Sequence, residues 1–209
     1  MISRWEQAAR YLGRSDARVE ELMRRAFAAL DAATQPRTVQ LELPCRAAGE
    51  ETALGGLTLH SRNLAQLLEH SPRALVYAAT LGVQADVLIA RAQVTDMAYA
   101  LVLQACAAAA VEDLADRLTE AAEEALRPQG LHLTPSYSPG YGDLPLDAQG
   151  PLLELLSAPK RIGVTLTGAG LLAPVKSITA ICGITAQPCR PYAAKCARCT
   201  MTNCAYRKE

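Results

Sequence analysis

The stretch LHLTPSYSPGYGDLPLDAQGP covers residues 131–151 and separates two parts of the chain that differ in character. It holds four prolines and three glycines, and a fourth glycine precedes it directly. Pro139 fixes φ, Gly140 and Gly142 permit positive φ, and Pro145 prevents a return to helix. The pattern therefore predicts a long irregular segment rather than a helix or a strand.

Such a segment is suited to contact a ligand, because it presents backbone N–H and C=O groups. Tyr137 and Tyr141 add rings that could stack on a flat group. A plain surface connection is the other interpretation, although long irregular loops inside compact domains are often functional.

Outward from this loop, periodicity predicts alternating helices and strands, and hence an α+β domain with a mixed antiparallel sheet packed with helices. Before the loop, Ser15 or Asp16 is expected to cap a helix over 15–33, and Ser61 to cap another that ends near His70. The other predicted helices cover 83–92, 96–127 and 149–156. The predicted strands are 37–44, closed by Pro44, then 57–59 after a Gly55-Gly56 turn, 74–80, 162–167 and 177–184.

Composition narrows the functional classes. The 209 residues carry 21 basic and 21 acidic side chains in an interspersed pattern, so no basic block is available for nucleic acid. The N-terminus lacks the apolar run of a secretory signal. The most apolar run, Met97–Val111, is shorter than a membrane span and predicts a buried helix. We therefore expect a soluble cytoplasmic protein without a membrane or nucleic-acid partner.

Four of the seven cysteines are close together near the C-terminus. The spacing Cys189-x6-Cys196-x2-Cys199-x4-Cys204 includes one CxxC pair and predicts a metal centre, either zinc or an iron–sulfur cluster. A ligand-free, reduced terminus is the alternative. Cys182, inside a predicted strand, is expected to be a buried core thiol.

Other chemistries lack support in the sequence. His60, His70 and His132 have no metal-ligand spacing and are interpreted as structural or surface residues. The acidic stretch around residues 113–124 is typical of a solvated helix face. Thr165–Gly170 matches no phosphate-loop spacing, and no nucleophilic triad is evident.

Six segments together carry a resemblance that covers nearly the whole chain. They are ARYLG (9–13), AATLG (78–82), TDMAYALVLQACAAAAVEDLADRL (95–118), SPGYGDLPLDAQ (138–149), IGVTLTGAGLLAPVKSITAICGI (162–184) and CARCTMTNCAYRK (196–208). In this order they resemble the activation domain of cobalamin-dependent methionine synthase, and more closely the small stand-alone bacterial proteins similar to it. SPGYGDLPL and PVKSITAICGI are the specific pieces.

The resemblance implies a fold of the activation-domain type and work on an inactive corrinoid. In that family the domain presents S-adenosylmethionine while one electron is supplied, which restores methylcobalamin. Pro139, Gly140 and Tyr141 match the family's ligand loop, and Glu112 falls where the long helix carries a carboxylate facing the site. The predicted ligand-binding residues are Ser136, Tyr137, Ser138, Pro139, Gly140, Tyr141, Gly142, Asp143, Glu112 and Lys176.

One position departs from the family pattern. The family loop begins with an Arg that pairs with the methionine carboxylate, whereas this chain has Ser136. A hydroxyl does not replace a bidentate, charge-assisted pair. Lys176 and Arg161 are the candidate substitutes, and the alternative is weak binding or none.

The sequence therefore predicts an activation-domain-like α+β domain over residues 1–186 and a Cys-rich metal or iron–sulfur tail over 187–209. The first functional prediction is an accessory factor that reactivates a corrinoid protein such as methionine synthase in trans, with cobalamin supplied by that partner. One alternative is an iron–sulfur protein that takes electrons from a donor, reduces cob(II)alamin and has a vestigial methyl-donor site. The other is a non-enzymatic, zinc-stabilised docking partner.

Overall fold

The computed structural model describes residues 2–13 and 16–187. In this part of the chain the α-helices are α1 (Arg4–Leu12), α2 (Ala17–Ala33), α3 (Arg62–Leu68), α4 (Val83–Thr95), α5 (Met97–Leu126), α6 (Gln149–Leu155) and α7 (Ala158–Ile162). The strands are β1 (Arg37–Ala48), β2 (Glu51–Leu54), β3 (Leu57–His60), β4 (Arg73–Thr80), β5 (His132–Leu133), β6 (Thr165–Leu166), β7 (Leu172–Ala173) and β8 (Ser177–Thr185).

Side-chain caps begin several of the helices. The Asp16 carboxylate accepts from Val19 N at the start of α2, and the Ser61 hydroxyl accepts from Leu64 N at the start of α3. Both caps were predicted from the sequence and are confirmed. Ser3 forms a capping box with Glu6 at the start of α1, a helix that the sequence analysis did not identify.

Within the described residues, the main sheet has six strands in the order β3-β2-β1-β4-β8-β5, and β6 and β7 form a separate hairpin. The pairs β1/β2, β2/β3 and β5/β8 are antiparallel, which agrees with the predicted α+β class. Two-residue turns set the register of β1–β3, with Ala48 opposite Glu51 and Leu54 opposite Leu57. The predicted turn at Gly55 is confirmed.

Two strand predictions are wrong in extent. β1 continues past Pro44 to Ala48, because Pro44 lacks only a donor and its carbonyl still accepts from Gly55 N. The predicted strand 162–167 is only Thr165–Leu166 in the structure. Its first residue, Ile162, instead ends helix α7, which begins at Ala158 and has a proline in its first turn.

The described residues form two compact units. The first comprises those within 1–41, 77–118 and 146–179, and the second those within 42–76, 119–145 and 180–187. The predicted boundary between 186 and 187 lies at the end of the described residues and stays a prediction. The four cysteines of the predicted metal centre lie outside these residues.

The core of the first unit is built from small and branched side chains on α2, α4 and α5. Met23 and Leu30 of α2 and Leu103 of α5 are almost completely buried. Ala107 and Ala109 of α5 are also almost completely buried, and side chains this small leave room for a close approach between helices.

The second unit packs α3 against β2. Its largest buried side chains are Leu54, Leu64, Leu68, Leu75, Leu144, Ile181 and Ile184. The buried state of Cys182 confirms the prediction of a core thiol.

Helix α5 has 30 residues, which is twice the length of the apolar run Met97–Val111 that it contains. Together with the 3₁₀ turn that follows, it spans Met97–Gln129 and is long and apolar enough to cross a membrane by length and composition alone. A core helix of a globular protein passes the same test, and α5 supplies much of the buried surface of the first unit.

Candidate functional site

The loop of residues 136–145 lies in the second unit and folds back on itself. Tyr141 N donates to Ser138 O at 3.2 Å, Leu144 N to Tyr141 O at 3.0 Å, and Gly140 N to Leu144 O at 2.9 Å. Gly140 has φ 86° and Gly142 has φ 53°, values that favour glycine. The predicted use of these two glycines for positive φ is confirmed.

The first arm of the loop is attached to strand β8. Tyr137 exchanges two backbone hydrogen bonds with Ile181, both at 2.9 Å. Three residues earlier in the chain, Thr134 N donates to Gly183 O at 2.8 Å, and Thr134 Oγ1 accepts from Gly183 N at 2.7 Å. These bonds fix where the loop leaves the sheet.

The two loop tyrosines have different environments. Tyr141 is 64% exposed, whereas Tyr137 is only 9% exposed and its hydroxyl donates to Tyr141 O at 3.1 Å. The expectation that both rings are available for stacking is therefore wrong for Tyr137, which packs inside the loop. Tyr141 keeps a ring open to a ligand.

The second arm is tied to the first turn of α3 through Asp143. Its carboxylate accepts from the Ser61 hydroxyl, from Arg62 N at 2.8 Å and from Asn63 N at 3.3 Å. These bonds lower the pKa of Asp143, with the Ser61 hydroxyl as the largest cause. The sequence identified Ser61 as a helix cap, but nothing local could reveal its contact with a residue 82 positions away.

Ser136, where the family has Arg, carries no charge. Its hydroxyl lies 3.2 Å from the Sγ of Cys182 on β8, and the side chain is partly buried. The residue therefore contributes to how the loop packs on the sheet. It offers a ligand carboxylate no cation.

Glu112, Lys176 and Arg161 belong to the first unit. Glu112 accepts from the Tyr11 hydroxyl and from Gln7 Nε2, the latter at 3.0 Å. This contact between α1 and α5 was not predicted, because α1 itself was not predicted.

Of the two candidate cations, Lys176 is the better enclosed. Its Nζ donates to Gln104 O at 3.4 Å. Burial lowers the pKa of Lys176, while Asp86 and Glu112 oppose that shift. Arg161, in the last turn of α7, is exposed.

Among the residues that the structure describes, no group of three His, Cys, Asp or Glu side chains is placed to hold a metal ion. His132 contacts Glu123 at 3.1 Å, and His60 lies 3.8 Å from Glu51. An open cleft of about 600 Å³ in the first unit is lined by the paired ions Arg4–Asp31 and Arg117–Asp113 and by none of the predicted site residues.

Comparison with known proteins identifies the fold. No protein-family model and no curated protein sequence matches the chain. Among solved structures, the chain is similar to the MetH reactivation domain bound to AdoHcy, with a TM-score of 0.62 and 18% identity over 81% of this chain and 67% of that chain. The chain therefore has an α+β fold of the methionine synthase reactivation-domain type, as the sequence resemblance predicted.

Proposed function

We propose that the chain binds S-adenosylmethionine on the loop 136–143 and serves as a reactivation factor for a corrinoid protein, acting in trans. The main support is the fold, since a solved protein of the same type holds AdoHcy, the demethylated form of that ligand. The hydrogen bonds that already shape the loop agree with a binding role.

The loop residues fit part of such a ligand. Tyr141 offers an exposed ring to a purine, and the turn over Ser138–Gly142 offers backbone groups to the ribose or the amino-acid end. S-adenosylmethionine, when bound, supplies an electrophilic methyl group. The protein positions that group and does not itself take part in the transfer.

The carboxylate end of the ligand fits less well. A charged hydrogen-bonded pair contributes about 1.5–3 kcal/mol, which equals a factor of roughly ten to one hundred in affinity. With Ser136 at the head of the loop, this contribution is missing there. We therefore expect binding in the micromolar range or weaker, and little discrimination between ligands with and without the carboxylate.

Calorimetric titration tests the binding. S-adenosylmethionine and S-adenosylhomocysteine should both saturate the protein, and Tyr141→Ala should weaken them about tenfold by removing a stacking surface. Tyr141→Phe keeps the ring and should bind as the parent does. Leu171→Ala, which shortens another exposed side chain, is the matched control.

The accessory role is tested with the same protein preparations. A cob(II)alamin-loaded corrinoid protein, a one-electron donor and S-adenosylmethionine should give methylcobalamin and S-adenosylhomocysteine faster with this chain present. The Tyr141→Ala variant should lose that acceleration in proportion to its affinity. The proposal is refuted if the parent protein shows no saturable heat of binding with S-adenosylmethionine, or if it does not change the rate of methylcobalamin formation.

The metal centre at Cys189, Cys196, Cys199 and Cys204 stays a prediction from spacing. Metal content and the absorption spectrum of anaerobically purified protein separate its forms. Iron with charge-transfer absorption indicates a cluster suited to electron transfer, and stoichiometric zinc indicates a structural role.

A further inference from the structure

Both oxygens of the Asp143 carboxylate accept hydrogen bonds from the start of α3. One oxygen accepts from the Ser61 hydroxyl, and the other accepts from Arg62 N at 2.8 Å. Asn63 N lies 3.3 Å from each of them. These hydrogen bonds tie the side chain to the start of α3. They hold the second arm of the loop to a residue cluster about 80 positions earlier in the sequence.

The first arm is held independently. Tyr137 is bonded to Ile181 through its backbone and to Tyr141 O through its hydroxyl. Between the two arms, the turn over Ser138–Leu144 is closed by its own backbone bonds. A loop fixed at both ends has its shape before a ligand arrives.

We infer that Asp143 is a positioning residue, whose contact with α3 keeps the exposed face of Tyr141 and the backbone around Gly142 in a binding-competent arrangement. This inference rests on the proposed function, since it assigns a role within the same site. When only a fraction of molecules has the competent loop, the apparent dissociation constant rises by the inverse of that fraction. Loss of the anchor should therefore weaken binding while the fold persists.

The experiment compares Asp143→Ala and Asp143→Asn in the full chain. Asparagine keeps one oxygen for the helix N–H groups, as it does at helix caps, so it should rescue much of the loss. Glu50→Gln is the matched control. It removes a carboxylate that pairs with Arg62 on the same helix turn but does not touch the loop.

Two quantities are measured for each variant. Amide hydrogen exchange at Gly140 and Leu144, whose N–H groups donate within the turn, reports on loop order without any ligand. Calorimetry with S-adenosylmethionine reports on affinity. We expect Asp143→Ala to accelerate loop exchange and weaken binding about tenfold, Asp143→Asn to weaken it about threefold, and Glu50→Gln to change neither.

The outcomes are distinguishable. Unchanged loop exchange in Asp143→Ala overturns the anchor, whatever the parent binds. Faster exchange with unchanged affinity shows a structural contact only and overturns the positioning role. Absence of binding by the parent refutes the proposed function and the positioning role with it, and the exchange data then show whether the anchor itself exists.

Discussion

Two irregular segments of this chain each contain two glycines but differ in architecture. The loop Ser136–Pro145 is tied to strand β8 and to helix α3 by contacts across 44 and 82 positions. The turn Thr167–Leu171 closes only the short β6–β7 hairpin. Its hydrogen bonds join Thr167 to Leu171 and to Gly170 at 2.8–3.2 Å.

The difference shows that the shape of an irregular segment can be fixed either by its own residues or by contacts with distant ones. In the turn Thr167–Leu171, the residues shape only their immediate neighbours, and Gly168 has open space around it. In the loop, each arm depends on residues from other elements, and a Cβ at Gly142 would force the Tyr137 or Asn63 side chain to move. We therefore expect substitutions in the two segments to differ in cost.

The largest difference is expected for alanine at one glycine of each segment. At Gly142, φ is 53° and an added Cβ would lie 2.2 Å from the Tyr137 hydroxyl and 2.7 Å from Asn63 Nδ2. Strain and overpacking together should lower the free energy of unfolding by about 2–4 kcal/mol. Gly168→Ala meets nothing within 4 Å and should stay within about 0.5 kcal/mol of the parent.

Denaturant unfolding of both variants measures the difference. Equal costs for Gly142→Ala and Gly168→Ala would break the distinction between an anchored loop and a self-contained turn. A Gly142→Ala variant that loses ligand binding without losing stability would instead place the cost in the loop alone.

The next effect is that of single hydroxyl groups. Tyr137→Phe removes the donor to Tyr141 O inside a buried site, which should cost about 0.5–1.5 kcal/mol. Thr167→Val removes the acceptor for Leu171 N in an exposed turn, where water replaces it, so the cost should be near zero. Thermal unfolding with both variants in parallel gives the comparison, and a larger loss for Thr167→Val would contradict it.

The same distinction explains how far the sequence predicted the structure. Periodicity and caps located α2, α3 and β4 within one or two residues, because those signals are local. The positive φ of Gly140 and Gly142 followed from residue type. Local signals could not tell which loop tyrosine is buried, because that depends on the packing of Tyr137 within the second unit.

Site prediction was limited for the same reason. The loop was identified from its own prolines and glycines, whereas its anchor at Ser61 requires the three-dimensional fold. Helix α1 was missed although Ser3 and Glu6 form a capping box, and with it the contacts that hold Glu112. Motifs predict the shape of a segment better than they predict its partners.

The smallest expected effect concerns the protonation of Asp143. Its pKa lies below the ordinary 3.8, mainly because the Ser61 hydroxyl donates to it and the N–H groups of Asn63 and Arg62 add to that. For a carboxyl with a depressed folded pKa, the stabilisation is present above the unfolded value and is lost as pH falls through the folded one. The Asp143 carboxylate should therefore stay ionised at pH values where an ordinary aspartate is already being protonated, and the anchor should be lost as pH falls through the lowered pKa.

Carbon NMR of the Asp143 carboxyl in the parent and in Ser61→Ala measures this shift. The Ser61→Ala midpoint should move up towards 3.8, because the largest stabilising hydrogen bond is gone. Arg62 and Glu50, the charged neighbours on the adjoining elements, are the same in both proteins. Thr167–Leu171 contains no titratable side chain, so its exchange rates, corrected for intrinsic chemistry, should not change over this range. An identical Asp143 midpoint in both proteins would mean that the hydroxyl does not hold the carboxylate, and the anchor would then rest on the helix N–H groups alone.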